Sequence, residues 1–106
     1  MSVQVVAIIT PAPGKESRIK ELLAGLADNV AKNESKVSKY QVFEQYGGEN
    51  SNSIIVEETY ADQATFDAHF KTDYFSALGK TIQNEGLLGA PLDIKTIKPF
   101  AGFASR

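Results

Sequence analysis

The chain has 106 residues, the length of one domain of ordinary size with a single hydrophobic core. Eleven lysines and arginines stand against thirteen aspartates and glutamates, and the resulting formal charge of −2 favours neither nucleic acid nor an anionic membrane as a partner. Cysteine is absent and histidine occurs once, which excludes a disulfide framework, a cysteine nucleophile and a multi-histidine metal site within one chain.

The beginning of the sequence has no targeting signal that we can identify. Residues 1–6 lack the basic region and the long apolar region of a signal peptide, and no apolar run approaches the roughly 20 residues needed to span a bilayer. We therefore expect a cytoplasmic protein with no membrane partner.

The first third of the chain is predicted to form a strand followed by a helix. Residues 3–9 are apolar and β-branched and end at Pro11 and Gly14, a pattern typical of a central strand. After Lys15, apolar residues recur with the helical period on one face: Ile19, Leu22, Leu23, Leu26 and Val30. Charged residues occupy most of the other face, which predicts a one-sided surface helix.

Two further strands are predicted to form a hairpin. Residues 37–46 and 53–60 are rich in β-branched and aromatic residues, and the glycine-containing segment 47–52 separates them. Because side chains alternate along a strand, Glu58 shares one face of the second strand with apolar Ile54 and Val56.

The last third of the chain combines helical periodicity with a final strand. Asp62 is a plausible N-cap for a helix whose periodic positions are interrupted near Thr72: Phe66, His69, Phe70, Phe75, Leu78 and Ile82. Gly86 and Pro91 then lead to residues 92–98, whose alternation predicts a half-exposed strand.

The order β-α-β-β-α-β predicts an α+β, ferredoxin-like fold with an antiparallel sheet and helices on one face. The uncovered sheet face needs a partner, so we predict a homodimer in which two sheets pack face to face as a dimeric α+β barrel. Residues 1–99 would form the domain. In the tail, residues 100–106, Phe100 and Phe103 are predicted to dock on the domain or on the partner subunit.

Several short motifs follow one another in a recognisable order. Pro13-Gly14-Lys15 precedes the first helix, Glu58-Thr59-Tyr60 ends the third strand, and Ala68-His69-Phe70 is followed by Thr72-Asp73-Tyr74-Phe75. Over roughly residues 3 to 99, this order resembles the antibiotic biosynthesis monooxygenase (ABM) family of dimeric α+β barrels.

The sequence departs from that family's pattern at two positions. The Glu-x-Gly turn that commonly introduces the second strand is Asn33-Glu34-Ser35-Lys36 here, without the glycine, and Tyr74 stands where many members have a second histidine. Members that bind haem rely on an Asn, His and Trp set, whereas this chain has no tryptophan. The resemblance therefore implies no haem and no other cofactor.

The resemblance implies a cofactor-independent monooxygenase or oxidase of a small aromatic molecule, such as an anthrone, a quinol or a phenolic polyketide. A deprotonated substrate of this class can itself pass electrons to O2, so the protein needs a base, oxyanion donors and an apolar cavity. Two alternatives stay open, because one fold hosts several chemistries. They are a non-catalytic barrel that binds an apolar metabolite, and an isomerase that moves a proton without O2.

His69 and Glu58 are the predicted catalytic residues. Imidazole titrates near neutral pH, which suits a base, and a carboxylate beneath the helices is costly unless it is paired. We therefore predict a contact between Glu58 and His69 that satisfies the carboxylate and orients the ring.

Six aromatic side chains are predicted to bind the substrate: Tyr40, Tyr60, Phe66, Phe70, Tyr74 and Phe75. A tyrosine hydroxyl can donate to a quinone or phenolate oxygen, and the phenylalanines share a helix face with His69. The competing interpretation is purely structural. In it the phenylalanines form ordinary core, and the histidine is hydrogen-bonded to a carboxylate without doing chemistry.

Overall fold

The computed structural model describes residues 1–49 and 52–106. These residues form, in chain order, β1 (Val3–Ile9), α1 (Glu16–Asn33), β2 (Val37–Glu44), β3 (Ile54–Tyr60), α2 (Gln63–His69), α3 (Asp73–Glu85) and β4 (Asp93–Ile97). The predicted order of elements is confirmed, and the second helical segment is divided in two near Thr72. Part of the predicted hairpin loop, Asn50 and Ser51, lies outside the described residues.

The four strands form one antiparallel sheet in the order β2-β3-β1-β4. In this register Glu58 on β3 stands opposite Val5 on β1 and Tyr40 on β2. A register shift between Val37 and Lys39 interrupts the regular pairing at the start of β2. The arrangement confirms the predicted ferredoxin-like fold.

The helices cover one face of this sheet, as burial along the two central strands shows. Val5, Ala7 and Ile9 are buried on β1 while the residues between them are only partly covered, and β3 alternates in the same way. Helix α1 packs on this covered face through a fully buried stripe: Ile19, Leu23, Leu26 and Val30. The main core thus lies between α1 and the two central strands.

The division between α2 and α3 has a local cause in Thr72. Its backbone is extended, its hydroxyl donates to the carbonyl of His69 at 2.8 Å, and the same oxygen accepts from the N–H of Phe75 at 3.4 Å. Threonine is a favoured N-cap because its side chain satisfies a free N–H of the first turn. One residue therefore ends α2 and starts α3.

Helix α3 is packed less closely than α1. None of its residues is fully buried, and its apolar side chains Phe75, Leu78 and Ile82 are only half covered. The helix ends at Gly86, whose φ of 61° is the left-handed conformation that glycine adopts readily. None of the helices described here is both long and apolar enough to cross a membrane.

The tail does not dock on its own domain. The side chains of Phe100 and Phe103 are 97% and 68% exposed, and Arg106 lies over the ring of Phe103 at 4.3 Å from its centroid. The expectation of docking within the chain is therefore wrong, because β4 ends at Ile97 and the tail contains no element that returns to the sheet. Contact with a partner subunit stays a prediction.

Candidate functional site

A cavity of about 480 Å³ lies between the sheet and α3, where that helix stands away from the strands. Volumes of roughly 300–1,000 Å³ are usual for small-molecule sites. Apolar side chains from β1, β3, α1, α3 and the segment after α3 form most of its wall. The polar side chains on the wall are Tyr40, Glu58, His69 and Gln83.

His69, the last residue of α2, is 1% exposed and holds a defined hydrogen bond. Its Nδ1 lies 3.1 Å from each carboxylate oxygen of Glu34, the residue that directly follows α1. A carboxylate can only accept hydrogen bonds, so Nδ1 carries the hydrogen, and in the neutral ring Nε2 keeps its lone pair. This arrangement makes Nε2 a proton acceptor.

The second ring nitrogen of His69, Nε2, is left without a hydrogen bond among the described residues. Within residues 1–49 and 52–106, every side-chain nitrogen or oxygen that is cut off from solvent has a partner. Nε2 of His69 has no hydrogen-bond partner among those residues, and His69 lines the cavity. Nε2 is therefore the ring nitrogen available to a molecule in the cavity.

Glu34 also receives a hydrogen bond from the hydroxyl of Tyr74 on α3. Burial, together with this hydrogen bond, raises the pKa of Tyr74 to about 12, so the hydroxyl stays protonated and remains a donor. Glu34 thus joins the end of α1 to both α2 and α3. Two donors fix the orientation of its carboxylate, which in turn fixes the imidazole.

Glu58 does not pair with His69, and the predicted contact between them is corrected. The hydroxyl of Tyr60, two residues along the same strand face, donates to Oε1 of Glu58, while Glu34 occupies Nδ1 of the histidine. Side chains at i and i+2 of a strand point the same way, so Tyr60 is held beside Glu58 by the strand itself.

Burial makes the Glu58 carboxyl an unusually weak acid. The side chain is 7% exposed, and burial raises its pKa to about 7 although the hydrogen bond from Tyr60 acts in the opposite direction. The nearby negative charge of Glu34 raises the pKa further. A carboxyl group that is partly protonated at neutral pH can donate a hydrogen bond as well as accept one.

The two tyrosines beside Glu58 also remain protonated. Burial is the main cause that raises the pKa of Tyr40 far above its usual value, followed by the charges of Glu58 and Glu34. Burial and the hydrogen bond to Glu58 do the same for Tyr60. Of the two hydroxyls, that of Tyr40 belongs to a residue on the cavity wall.

The structure divides the six predicted substrate-binding residues into two groups. Tyr40, Phe70 and Phe75 line the cavity. The others lie behind its wall: Phe66 packs against Tyr60 with ring centroids 5.0 Å apart, and Tyr60 and Tyr74 use their hydroxyls to hold carboxylates. This second group does not line the cavity, and direct contact of these residues with a substrate stays a prediction.

Glu34 is the site residue that sequence reasoning missed. Its signal in the sequence is that the turn 33–36 retains the Glu of the family's Glu-x-Gly pattern, although it lacks the glycine. Across residues 1–49 and 52–106, no three side chains of His, Asp or Glu come together as a metal-ligating group.

Comparison with known proteins gives a family match and many similar folds. Residues 2–81 match the family model described as antibiotic biosynthesis monooxygenase (ABM). Rv0793 from Mycobacterium tuberculosis is similar with a TM-score of 0.81 at 18% identity, covering 98% of this chain and 100% of that one. No curated protein matches the sequence.

Two further solved structures show the same architecture. A Caulobacter crescentus protein named for the antibiotic biosynthesis monooxygenases has a TM-score of 0.81 at 24% identity, covering 94% of this chain and 91% of that one. PA3566 from Pseudomonas aeruginosa has a TM-score of 0.76 at 24% identity, with 94% and 95% covered. At these identities the likeness concerns the fold.

Proposed function

This chain belongs to the antibiotic biosynthesis monooxygenase family, and we propose that it uses O2 to oxidise a small, uncharged aromatic substrate, with His69 as the base. The main support for this proposal is the hydrogen-bonded pair of Glu34 and His69, in which Nε2 has no partner among the described residues and the ring lines an apolar cavity. A base held by a carboxylate on one nitrogen and free on the other is the arrangement that general-base catalysis requires.

For an anthrone-type substrate, the reaction consumes one O2 and yields a quinone and water. Nε2 takes a proton from the benzylic carbon, and the carbanion passes one electron to O2. The resulting superoxide and carbon radical combine in a C–O bond, and the protonated imidazole returns its proton to the distal oxygen. Loss of the second C–H proton to Nε2 then breaks the O–O bond, and the departing hydroxide takes that proton from the imidazolium to become water.

The substrate supplies all four electrons that O2 accepts in this reaction, so we propose no cofactor. The mostly apolar wall keeps water from the intermediates. The hydroxyl of Tyr40, which remains protonated, is available as a donor to a phenolate oxygen.

The first test is oxygen uptake by the parent protein, His69→Gln and Glu34→Gln with an anthrone and a naphthoquinol. We expect uptake by the parent that resists a chelator and falls at least tenfold in His69→Gln, about 1.4 kcal/mol of barrier. Glu34→Gln should lose less, since an amide oxygen can still accept from Nδ1. Glu44→Gln, at an exposed glutamate of β2 that does not line the cavity, is the matched control. Undiminished uptake in His69→Gln would overturn the assignment of the base.

A proton-transfer isomerase is a second candidate, favoured by the presence of both His69 and a partly protonated Glu58 on one cavity wall. It would turn over a ketone substrate equally well without O2, so the same assays under nitrogen separate the two functions. Ligand-dependent stabilisation with no turnover in either atmosphere would instead identify a binding protein for an apolar metabolite.

We also propose that a second copy of the chain covers the open sheet face. Apolar side chains from all four strands occupy that face: Val6, Ile8, Phe43, Ile55 and Ile97. Two ion pairs accompany them, Lys39 with Glu57 at 2.6 Å and Lys95 with Asp93 at 2.5 Å. A surface with an apolar centre and both signs of charge can be complementary to itself across a two-fold axis.

Sedimentation on dilution tests the dimer. We expect Ile55→Lys to dissociate it, because the substitution places a charge in the apolar centre of the interface. Deletion of residues 100–106 should weaken the dimer if Phe100 and Phe103 contact the partner subunit. A parent protein that sediments as a monomer at all concentrations would remove both parts of this proposal.

A further inference from the structure

Glu58 is a buried titratable group that the base mechanism leaves unused. Its Oε1 accepts the hydroxyl of Tyr60, and Oε2 has no partner among the described residues. Because every side-chain oxygen cut off from solvent in residues 1–49 and 52–106 has a partner, Oε2 reaches accessible space, and Glu58 lines the cavity. Glu58 and His69 therefore each present one free polar atom to the same cavity.

The surroundings of Glu58 contain no positive partner. Two tyrosines are next to it, Tyr60 on β3 and Tyr40 opposite it on β2. The other titratable groups nearby are Glu34 at the end of α1 and its two hydrogen-bond donors, His69 on α2 and Tyr74 on α3. On β1 the opposing residue is apolar Val5. No lysine or arginine lines the cavity among the described residues. The negative charge of Glu34 and the apolar cavity wall both favour the neutral form of Glu58.

The neutral form has a defined donor direction. Burial raises the pKa of Glu58 to about 7, so the acid form is present at neutral pH. Since Oε1 already accepts from Tyr60, the acid hydrogen is on Oε2, the oxygen that reaches the cavity.

We propose that Glu58 acts as the acid of this site by donating a hydrogen bond from Oε2 to a neutral carbonyl or phenol oxygen of the substrate. The inference deepens the proposed function and depends on it for the identity of the reaction. While Nε2 of His69 removes the carbon-bound proton, negative charge develops on the carbonyl oxygen, and the carboxyl hydrogen stabilises it there. No bond to Glu58 breaks in this step.

The substrate class follows from the same groups. A cavity lined by one partly protonated carboxyl and by no cation disfavours a substrate that carries a carboxylate or sulfonate. It is compatible with the uncharged aromatic ketone of the proposed function, in which the base acts at the CH2 carbon and the acid acts at the carbonyl oxygen.

The test measures binding of anthraquinone, which has carbonyl oxygens but no proton for His69 to remove. For the parent we expect a dissociation constant at least tenfold lower at about pH 6 than at about pH 9, because the donor is lost when Glu58 ionises. Glu58→Gln should bind with little pH dependence, since its amide remains a donor throughout. Glu44→Gln, at an exposed glutamate of β2 that does not line the cavity, should behave as the parent.

Three results would overturn the inference: parent-like pH dependence in Glu58→Gln, equal loss of that dependence in Glu44→Gln, or no saturable binding of anthraquinone to the parent. Should Glu58→Gln fail to fold, difference infrared spectroscopy of the parent replaces it. A carboxylic acid C=O band that shifts on anthraquinone binding supports the inference, and an unshifted band opposes it. Because this probe undergoes no reaction, absence of oxygen uptake would count against the oxidase alone.

Discussion

Helices α1 and α3 cover the same sheet face with similar amphipathic sequences, yet only α1 is closely packed on the sheet. The apolar stripe of α1 is fully buried, with Ile19 at 0% exposure, whereas the corresponding side chains of α3 are half covered. The space that α3 leaves above the strands is the cavity. The difference shows that an apolar helix face can serve either as core or as the roof of a binding site.

Polar contacts at its two ends explain how α3 stays in place without close packing. At its start the hydroxyl of Tyr74 is bound to Glu34. At its end Glu85 accepts two hydrogen bonds from the guanidinium of Arg18 on α1, at 2.9 and 2.8 Å. Polar contacts thus hold α3 to α1 at both ends. The cavity lies between the sheet and the part of α3 that separates these two contacts.

The largest expected effect concerns stability. Ile19→Ala removes a side chain with no exposure and should lower the free energy of unfolding by about 2–5 kcal/mol. Ile82→Ala, on the half-covered face of α3, should lower it by less than half as much, because its side chain already borders a cavity. Chemical denaturation measures both. Equal losses would mean that α3 is as tightly packed as α1.

The next effect arises because the cavity beneath α3, unlike the core beneath α1, contains an ionisable group. The pKa of Glu58 is about 7 in the folded protein against an ordinary 4.5, so the folded state binds this proton more tightly. Stability from Glu58 is complete below about pH 4.5 and is lost as pH rises through 7, by up to about 3 kcal/mol.

Denaturation from about pH 4.5 to 8 of the parent, Glu58→Gln and Glu57→Gln measures this term. The loss should be absent in Glu58→Gln and present in Glu57→Gln, whose carboxylate is on the other sheet face and pairs with Lys39. Parallel curves for the parent and Glu58→Gln would show that the carboxyl is ionised throughout.

A smaller effect is expected on ligand affinity, which should fall after a substitution in α3 and stay unchanged after the same substitution in α1. Gly79 on α3 borders the cavity and Gly25 is exposed on α1, and neither has an atom within 4 Å of an added Cβ. Gly79→Leu should weaken anthrone binding about tenfold, or 1.4 kcal/mol, by occupying the cavity. Gly25→Leu should leave binding unchanged. Both should keep their stability because leucine favours helix over glycine. Equal affinities in the two variants would place the ligand elsewhere.

The smallest effect is expected at the ion pair between Arg18 and Glu85, which holds the end of α3 to α1. Arg18→Ala removes the ion pair with Glu85 on an exposed surface, where such pairs contribute little. We expect a slight fall in melting temperature that vanishes at about 1 M KCl, where charges are screened beyond about 3 Å. A fall that persists in salt would mean that the arginine contributes by packing.

Much of the fold could be predicted because its determinants are local. Alternation in β1 and β3, the helical stripe of α1 and the capping residues Asp62 and Thr72 each act over a few residues of chain. The same local rules placed His69 on the inner face of its helix. They could not set the separation of α3 from the sheet, since periodicity specifies which face turns inward and gives no distance.

Sequence by itself determined the ferredoxin-like order of elements and the inward faces that carry His69, Phe70, Phe75 and Glu58, whereas the place of Tyr40 beside Glu58 came from the strand register. Tertiary structure alone decided that Glu34 holds His69, 35 positions away in the chain, and that Tyr60 holds Glu58. The physical reason is that a carboxylate pairs with whichever donor the packed elements bring within about 3 Å, and no local pattern encodes that distance.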